Sequence, residues 1–208
     1  MRIGLIGAGN IGGTLARRFL DLGHEIAISN SRGPGTLEGL ITDLGKAAHA
    51  MTVFDAANFG EIVVLAIPFR GYLEVPVEPL AGKIVVDANN YFAGRDGRTE
   101  EIESGRSSSS ELLQLHLPAS RVVKAFNAIR WSRLLNDGLP AGNPARIAIP
   151  IAGDDSQAKG IVAKLIEQIG FDPVDAGDLA TGGRKFQQGT RLFAADLSRD
   201  KVIQTLAE

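Results

Sequence analysis

The residues whose types and spacing best indicate chemistry are the glycines near the start of the chain. Gly7-Ala8-Gly9-Asn10-Ile11-Gly12 follows directly after the short apolar run at residues 2–6. In such a loop Gly7 permits a tight turn, Gly9 lets phosphates approach the backbone, and Gly12 allows a helix to pack closely on a strand. A helix that begins at about Asn10 directs free N–H groups and the positive end of its dipole towards the same point. The pattern predicts that residues 7–12 bind a dinucleotide pyrophosphate, and an incidental glycine turn is the alternative.

The end of the next apolar run, residues 25–28, bears on which nucleotide is bound. It continues into Ser29-Asn30-Ser31-Arg32, and no Asp or Glu occurs between Ala27 and Thr36. An NAD site usually has an acid here for the ribose 2′-hydroxyl, whereas a nearby Arg accommodates a 2′-phosphate. Hydroxyl donors beside a guanidinium suit a phosphate dianion. Asn30, Ser31 and Arg32 therefore predict NADP rather than NAD, and a solvated turn with a surface arginine is the alternative.

Two further segments are predicted to reach the cofactor, because ligands bind at the carboxyl ends of strands in a parallel sheet. Ala66-Ile67-Pro68 stands at the end of an apolar run and would bring a flat apolar backbone against the ribose and nicotinamide, unless Pro68 only ends the strand. Asn89, with Asn90, would offer amide groups near the nicotinamide carboxamide. Asparagine also favours turns for local reasons, so a turn is the alternative.

The region after residue 121 offers weaker indications of a second ligand. Asn127 follows a predicted strand, and Lys124 precedes it by three residues. On a strand these two positions point to opposite faces, which argues against a lysine–asparagine catalytic pair. Trp131, the only tryptophan, is predicted either to line an aromatic substrate or to pack in a core or interface. Asn127 and Trp131 are the predicted substrate-binding residues.

The chain lacks the usual acid–base and metal-binding patterns. It has no cysteine, and its three histidines, His24, His49 and His116, fall in different predicted elements. No zinc-protease or serine-hydrolase motif occurs. We therefore predict no catalytic side chain and no metal.

Composition narrows the class of protein. The 208 residues carry a net charge of −2, which gives no sign of a nucleic-acid or membrane-surface partner. No apolar run approaches the roughly 18 residues that a membrane span needs, and the N-terminus lacks the features of a signal peptide. We expect a cytoplasmic protein with a small-molecule partner.

Alternating apolar runs and helical periodicity predict an α/β fold with a doubly wound, mostly parallel sheet of the Rossmann type. Expected strands are 2–6, 25–28, 50–54, 61–67, 83–87, 121–126, 146–152 and 171–174. Helices are expected from about Asn10, over 34–46, from a cap at Ser110, and from a cap within Asp154-Asp155-Ser156 to Gly170. Residues 88–110 are expected to be mainly loop, and the tail from Leu179 is expected to be helical with some loop. Residues 1–153 are predicted to form the NADP-binding domain, and 154–208 a small α/β extension packed on the same core.

The sequence resembles that of a known family, the NADPH-dependent reductases of coenzyme F-420 (also written F420, a deazaflavin). The matching segments are IGLIGAGNIG, SNSR at 29–32, AIP at 66–68, KIVVDANN at 83–90, RVVKAFN at 121–127, AGDD at 152–155 and GFDPVDAG at 170–177. The resemblance covers nearly the whole chain.

The resemblance implies direct hydride transfer between NADPH and a deazaflavin held face to face in a cleft. Such a transfer needs positioning and exclusion of water rather than proton chemistry at the protein. It also implies a homodimer formed through the C-terminal part. The chain departs from archaeal members near Asn127 and at 178–184, so flavin or ferric reduction, as in related membrane reductases, or a non-catalytic NADP(H) sensor are the alternatives.

Overall fold

Buried apolar runs form the strands of one eight-stranded sheet in the computed structural model, which describes all 208 residues. The strands are β1 (Arg2–Ile6), β2 (Glu25–Ser29), β3 (Ala48–Ala50), β4 (Ile62–Leu65), β5 (Ile84–Asp87), β6 (Arg121–Lys124), β7 (Ala148–Gly153) and β8 (Asp172–Asp175). Their order is β3-β2-β1-β4-β5-β6-β7-β8, and every neighbouring pair is parallel except β6 and β7. The order reverses between β1 and β4, where ligands bind in folds of this kind. The predicted fold class is confirmed.

Helices connect these strands. They are α1 (Asn10–Asp21), α2 (Glu38–Leu44), α3 (Val53–Phe59), α4 (Ala93–Asp96), α5 (Glu100–Glu103), α6 (Ser109–His116), α7 (Trp131–Asn136), α8 (Ser156–Gln168) and α9 (Arg199–Ala207). Short 3₁₀ helices occur at Pro34–Leu37, Phe69–Glu74, Glu78–Leu80 and Gly183–Phe186. None of these helices combines the length and apolar character that crossing a bilayer requires.

Two hydrophobic clusters cover the two faces of the sheet, because alternate side chains of a strand point to opposite sides. On β4, Ile62 and Val64 belong to the larger cluster, whereas Val63 and Leu65 belong to the second. Helices α1 and α8 pack in the larger cluster and α6 in the second. A third, smaller cluster joins β7 and β8 to the C-terminal segment. This packing on both faces fixes the strand ends that form the site.

Local hydrogen bonds explain where two predicted element boundaries were wrong. The strand expected at 50–54 is instead the end of β3 followed by α3, because the Thr52 side chain accepts from the Asp55 N–H and caps that helix. The cap expected at Ser110 lies at Ser108. Ser108 and Glu111 form a reciprocal capping box, so the helix starts one residue earlier than Ser110.

Other element boundaries also differ from those predicted. The helix expected over 34–46 divides into a 3₁₀ turn and α2, and the region expected to be mainly loop at 88–110 contains α4 and α5. β6 ends at Lys124 rather than at residue 126, because Phe126 has a φ of 63° that no strand accommodates. Asn127 therefore lies beyond the strand, and the alternation argument that separated it from Lys124 does not apply to it.

Candidate functional site

A cleft of about 820 Å³ opens at the carboxyl ends of β1, β2 and β4. Its walls come from the glycine loop, the turn after β2, the start of α3 and the segment after β4. The lining residues are Ile6, Gly7, Ala8, Gly9, Asn30, Ser31, Arg32, Val53, Ala66, Ile67, Pro68, Arg70, Gly71, Glu74 and Val75. The structure thus brings together three of the sequence segments predicted to bind the cofactor.

The glycine loop is shaped by two close backbone approaches. Gly7 has a φ of 113°, and a Cβ there would lie 2.2 Å from the carbonyl oxygen of Ala66. A Cβ on Gly12 would lie 1.8 Å from the carbonyl oxygen of Gly7. Gly9 is different, since a Cβ there would have no atom within 4 Å and would point into open space. Gly7 and Gly12 are required by the fold, whereas Gly9 leaves room for a ligand.

The N-terminus of α1 has free donors at this loop. Gly9 is its N-cap, no side chain caps it, and its first turn contains no acid. The first N–H groups of a helix have no partner within the helix, and the positive end of the dipole lies beside them. This end of α1 is therefore suited to an anion such as a pyrophosphate.

The turn after β2 contains two kinds of side chain, those that hydrogen-bond within the chain and those that are free to contact a ligand. Ser29 is buried and donates its hydroxyl to the Leu5 carbonyl. Asn30 shapes the turn, because its Oδ1 accepts from the Arg32 N–H at 2.9 Å and its Nδ2 donates to Thr36 Oγ1 at 2.9 Å. Ser31 and Arg32 are exposed, and the Arg32 guanidinium makes no hydrogen bond or ion pair within the chain. A cationic group is thus held at the cleft with its donors free.

The other wall follows β4. It is lined by Ala66, Ile67 and Pro68, the segment that the sequence analysis named, and the 3₁₀ helix at Phe69–Glu74 extends it. Stacking of Phe69 on Tyr72, with ring centroids 4.5 Å apart, holds that helix.

Sequence reasoning missed the cleft residues Ile6, Val53, Arg70, Gly71, Glu74 and Val75. Arg70 comes two residues after Pro68, but the sequence does not show which way its side chain faces. Val53 was missed because it had been assigned to a strand.

Several predicted residues lie outside the cleft lining. Ile11 and Gly12 are in the first turn of α1, behind the loop, and Asn10 is exposed beside it. Asn89 is only 2% exposed and lies behind the wall, where its Oδ1 accepts from the Ile67 N–H at 2.8 Å. It therefore contacts the backbone of the wall and does not itself line the cleft.

The two predicted substrate residues are also apart from the cleft lining. Asn127 is 4% exposed and donates through Nδ2 to the Phe186 carbonyl at 3.0 Å and to Asn90 Oδ1 at 3.2 Å, while its own Oδ1 has no partner. Trp131 begins α7 with 45% of its surface exposed. The structure does not bring Trp131 to the cleft.

The titratable groups outside the cleft do not form a metal site. No cluster of three or more histidine, aspartate or glutamate side chains is arranged to hold an ion. His49 contacts Glu25, and His116 contacts the carbonyl of Val75. Sequence reasoning missed one pair, Lys124 with Asp87, whose charged atoms lie 3.7 Å apart and are almost fully buried.

With this geometry established, similarity to known proteins identifies the family. The model of the family described as "NADP oxidoreductase coenzyme F420-dependent" matches residues 2–91, the part that contains every cleft residue. A candidate F420-dependent NADP reductase from Arthrobacter sp. FB24 is 30% identical in sequence, covers 88% of each chain, and superposes with a TM-score of 0.74. The chain belongs to this family. The predicted family and its class, NADP-dependent oxidoreductases, are confirmed.

Two other relatives are informative. Hypothetical protein SMa0349 from Sinorhizobium meliloti is 34% identical, covers 96% of each chain and has a TM-score of 0.82. The metalloreductase STEAP3 of Rattus norvegicus is 31% identical over 183 residues, which are 86% of this chain but 34% of STEAP3. The chain thus spans about a third of the length of that curated relative.

Proposed function

We propose that this chain binds NADPH in the cleft and transfers a hydride to coenzyme F-420. The observation that carries the proposal is the unpaired guanidinium of Arg32, placed on the cleft of a chain that belongs to a coenzyme F420-dependent NADP oxidoreductase family. A guanidinium with free donors, in a turn that contains no Asp or Glu, matches a 2′-phosphate better than a 2′-hydroxyl.

The remaining cleft groups fit the rest of the nucleotide. The free N–H groups at the start of α1 would hold the pyrophosphate, and the open space above Gly9 would admit it. Ser31 would add a hydroxyl donor beside Arg32. Ile67 and Pro68 would contact the ribose and nicotinamide, and Asn89 would fix the Ile67 backbone from behind.

The chain's own contribution to the reaction would be positioning. The reduced nicotinamide supplies the hydride when the cofactor is bound. The titratable side chains that line the cleft are Arg32, Arg70 and Glu74, which do not form an acid–base pair next to Ile67 and Pro68. Holding two flat rings in contact and excluding water accounts for much of the rate that such a site needs to provide.

Reduction of a flavin or of a chelated metal ion is a second candidate function. It is favoured by the similarity to the metalloreductase STEAP3, at 31% identity over most of this chain. NADPH would bind in the same cleft, and the two candidates differ only in the acceptor.

The deciding experiment is NADPH oxidation by the purified protein, followed at the absorbance of the reduced nicotinamide. Coenzyme F-420, FMN, FAD and a ferric chelate are offered separately, with NADH in place of NADPH as the nucleotide control. We expect rapid turnover with coenzyme F-420 and NADPH. Turnover only with flavin or the ferric chelate would favour the second candidate. Tight NADPH binding without turnover on any acceptor would contradict both and favour a sensor.

The family resemblance also leads us to propose a homodimer formed through the C-terminal part. Ile203 lies on α9, which packs against β7 and β8, and its half-exposed side chain is available to such an interface. Light scattering coupled to size exclusion would give twice the chain mass. The mass of a single chain would contradict the dimer.

A further inference from the structure

A fully buried ion pair lies at the carboxyl ends of β5 and β6. Asp87 and Lys124 are direct cross-strand partners, 1% and 0% exposed, and the Lys124 Nζ lies 3.7 Å from Asp87 Oδ2. Burial lowers the pKa of Lys124, and the Asp87 carboxylate opposes that shift. Burying two charges costs desolvation free energy that their attraction often fails to offset. The presence of this buried pair is therefore weak evidence that its role is only to stabilise the fold.

Ser110 connects the two charges. Lys124 Nζ donates to Ser110 Oγ at 2.8 Å, and the Ser110 hydroxyl donates to Asp87 Oδ2 at 2.6 Å. An ammonium only donates and a carboxylate only accepts, so the direction of both hydrogen bonds is fixed. The serine belongs to the first turn of α6, and the network therefore joins three elements of the fold.

The same pair holds both backbone polar groups of Asn89. Its N–H donates to Asp87 Oδ1 at 3.0 Å, and its carbonyl accepts from Lys124 Nζ at 3.5 Å. With its backbone held at both ends, the Asn89 side chain accepts the Ile67 N–H at 2.8 Å. A continuous set of hydrogen bonds therefore runs from the buried charges to the wall of the cleft.

We propose that Lys124, Asp87 and Ser110 are positioning residues, which fix Asn89 and through it the Ile67 wall on the nicotinamide side of the cleft. The proposal rests on the proposed function for the identity of the ligand at that wall. It assigns no contact between these three residues and the cofactor. Their effect passes through the backbone of Asn89 and Ile67.

The first test follows backbone amide exchange by NMR in the ligand-free protein. The double variant Asp87→Asn/Lys124→Met removes both charges together, so no unpaired buried charge remains. We expect the exchange rate of the Ile67 amide to rise about tenfold relative to the rates of Val64 and Val86. Local opening raises the exchange rate of single amides, whereas global destabilisation raises the rates of all core amides together. An unchanged ratio of Ile67 to Val64 would overturn the proposal.

Ser110→Ala provides a milder variant should the double variant fail to fold. It removes the bridging hydroxyl and leaves both charges in place. Ser109→Ala is the matched control, because Ser109 is the neighbouring buried serine of the same helix turn and its hydroxyl makes no hydrogen bond to the chain. Faster exchange at Ile67 in Ser110→Ala alone is expected, and equal exchange in the two variants would contradict the network.

The second test separates the network from the proposed function. Calorimetry measures binding of NADPH and of 2′,5′-ADP, which lacks the nicotinamide half. We expect Ser110→Ala to weaken NADPH binding about fivefold, within the range for loss of one hydrogen bond, and to leave 2′,5′-ADP binding unchanged. If Ser110→Ala speeds exchange at Ile67 but leaves the NADPH affinity unchanged, the proposed role of the Ile67 wall in binding the nicotinamide half is overturned. Failure of the wild-type chain to bind NADPH would instead contradict the proposed function, and the exchange result would stand independently.

Discussion

A methyl group on Gly12 would lie 1.8 Å from the carbonyl oxygen of Gly7, so the two glycines are in direct backbone contact. The third glycine of the loop, Gly9, has no atom within 4 Å of such a methyl position. Two glycines of the loop, Gly7 and Gly12, are therefore needed for α1 to pack on β1. The third, Gly9, leaves open space for a ligand at the N-terminus of α1.

Alanine substitutions should separate these two roles. Gly12→Ala should lower the free energy of unfolding by about 2 kcal/mol or more, because the carbonyl of Gly7 would have to move. Gly9→Ala should change it by less than about 0.5 kcal/mol, yet weaken NADPH binding about tenfold, which corresponds to about 1.4 kcal/mol. Urea unfolding and calorimetric titration measure the two effects. Equal loss of stability in both variants would contradict the assignment.

Arg32 should account for the preference between nucleotides. Arg32→Ala should weaken NADPH binding by about 1.5–3 kcal/mol, the range for a hydrogen bond to a charged group, and leave NADH binding nearly unchanged. Calorimetry with each nucleotide measures the difference. Arg17→Ala is a suitable control, because Arg17 is an exposed arginine on α1 away from the cleft lining. Equal losses for NADPH and NADH would rule out the 2′-phosphate contact.

Glu111 should contribute to the pH dependence of the chain's stability. Burial alone raises its pKa, but hydrogen bonds from the backbone and side chain of Ser108 and from Arg184 outweigh burial and hold the pKa below its ordinary 4.5. A carboxyl with a lower pKa in the folded state stabilises fully above the unfolded pKa, and that contribution is lost as the pH falls through the folded value.

Glu111→Gln should therefore cost about 1 kcal/mol at pH 7, as expected for loss of a charged hydrogen-bonding group. The difference from the wild-type chain should shrink as the pH falls below 4.5. Urea unfolding between pH 7 and pH 3 measures it. Glu100→Gln is the exposed control and should show no such convergence. A difference that stays constant with pH would show that Glu111 acts by packing alone.

Phe126 should be among the most sensitive core positions. Its ring is 1% exposed and packs edge-on against Phe19, with centroids 6.4 Å apart. Phe126→Ala should lower the free energy of unfolding by about 3–5 kcal/mol, the usual cost of a large core cavity. Phe54, which is 51% exposed, offers a control whose alanine variant should cost less than about 0.5 kcal/mol. Similar midpoints for both variants would show that the core relaxes around residue 126.

Much of the fold was predictable because buried parallel strands are continuous apolar runs. The runs at β1, β4 and β5 were placed to within two residues at each end. The errors fell where a short polar contact decides the boundary. Of the four consecutive serines, only Ser108 stands three residues before a glutamate, which is the spacing of a capping box, and this signal was missed.

The site was predictable where its residues are adjacent in sequence and less so where distant segments meet. Asn30 to Arg32 follow one strand and could be placed directly. Lys124 and Asp87 are 37 residues apart, and only the register of β6 on β5 makes them partners. The same limitation applies to Arg70, since nothing in the sequence shows which side of a 3₁₀ helix faces the cleft.

The half-exposed position of Trp131, outside the cleft, has an optical consequence. Because it is the only indole in the chain, its emission should resemble that of a water-exposed tryptophan and be quenched readily by iodide. Nucleotide binding should leave its accessibility to that quencher unchanged. Any loss of emission on adding NADPH would then arise by energy transfer to the reduced nicotinamide, which absorbs where indole emits. The chain thus carries a built-in donor for measuring the distance between α7 and a bound reduced nucleotide.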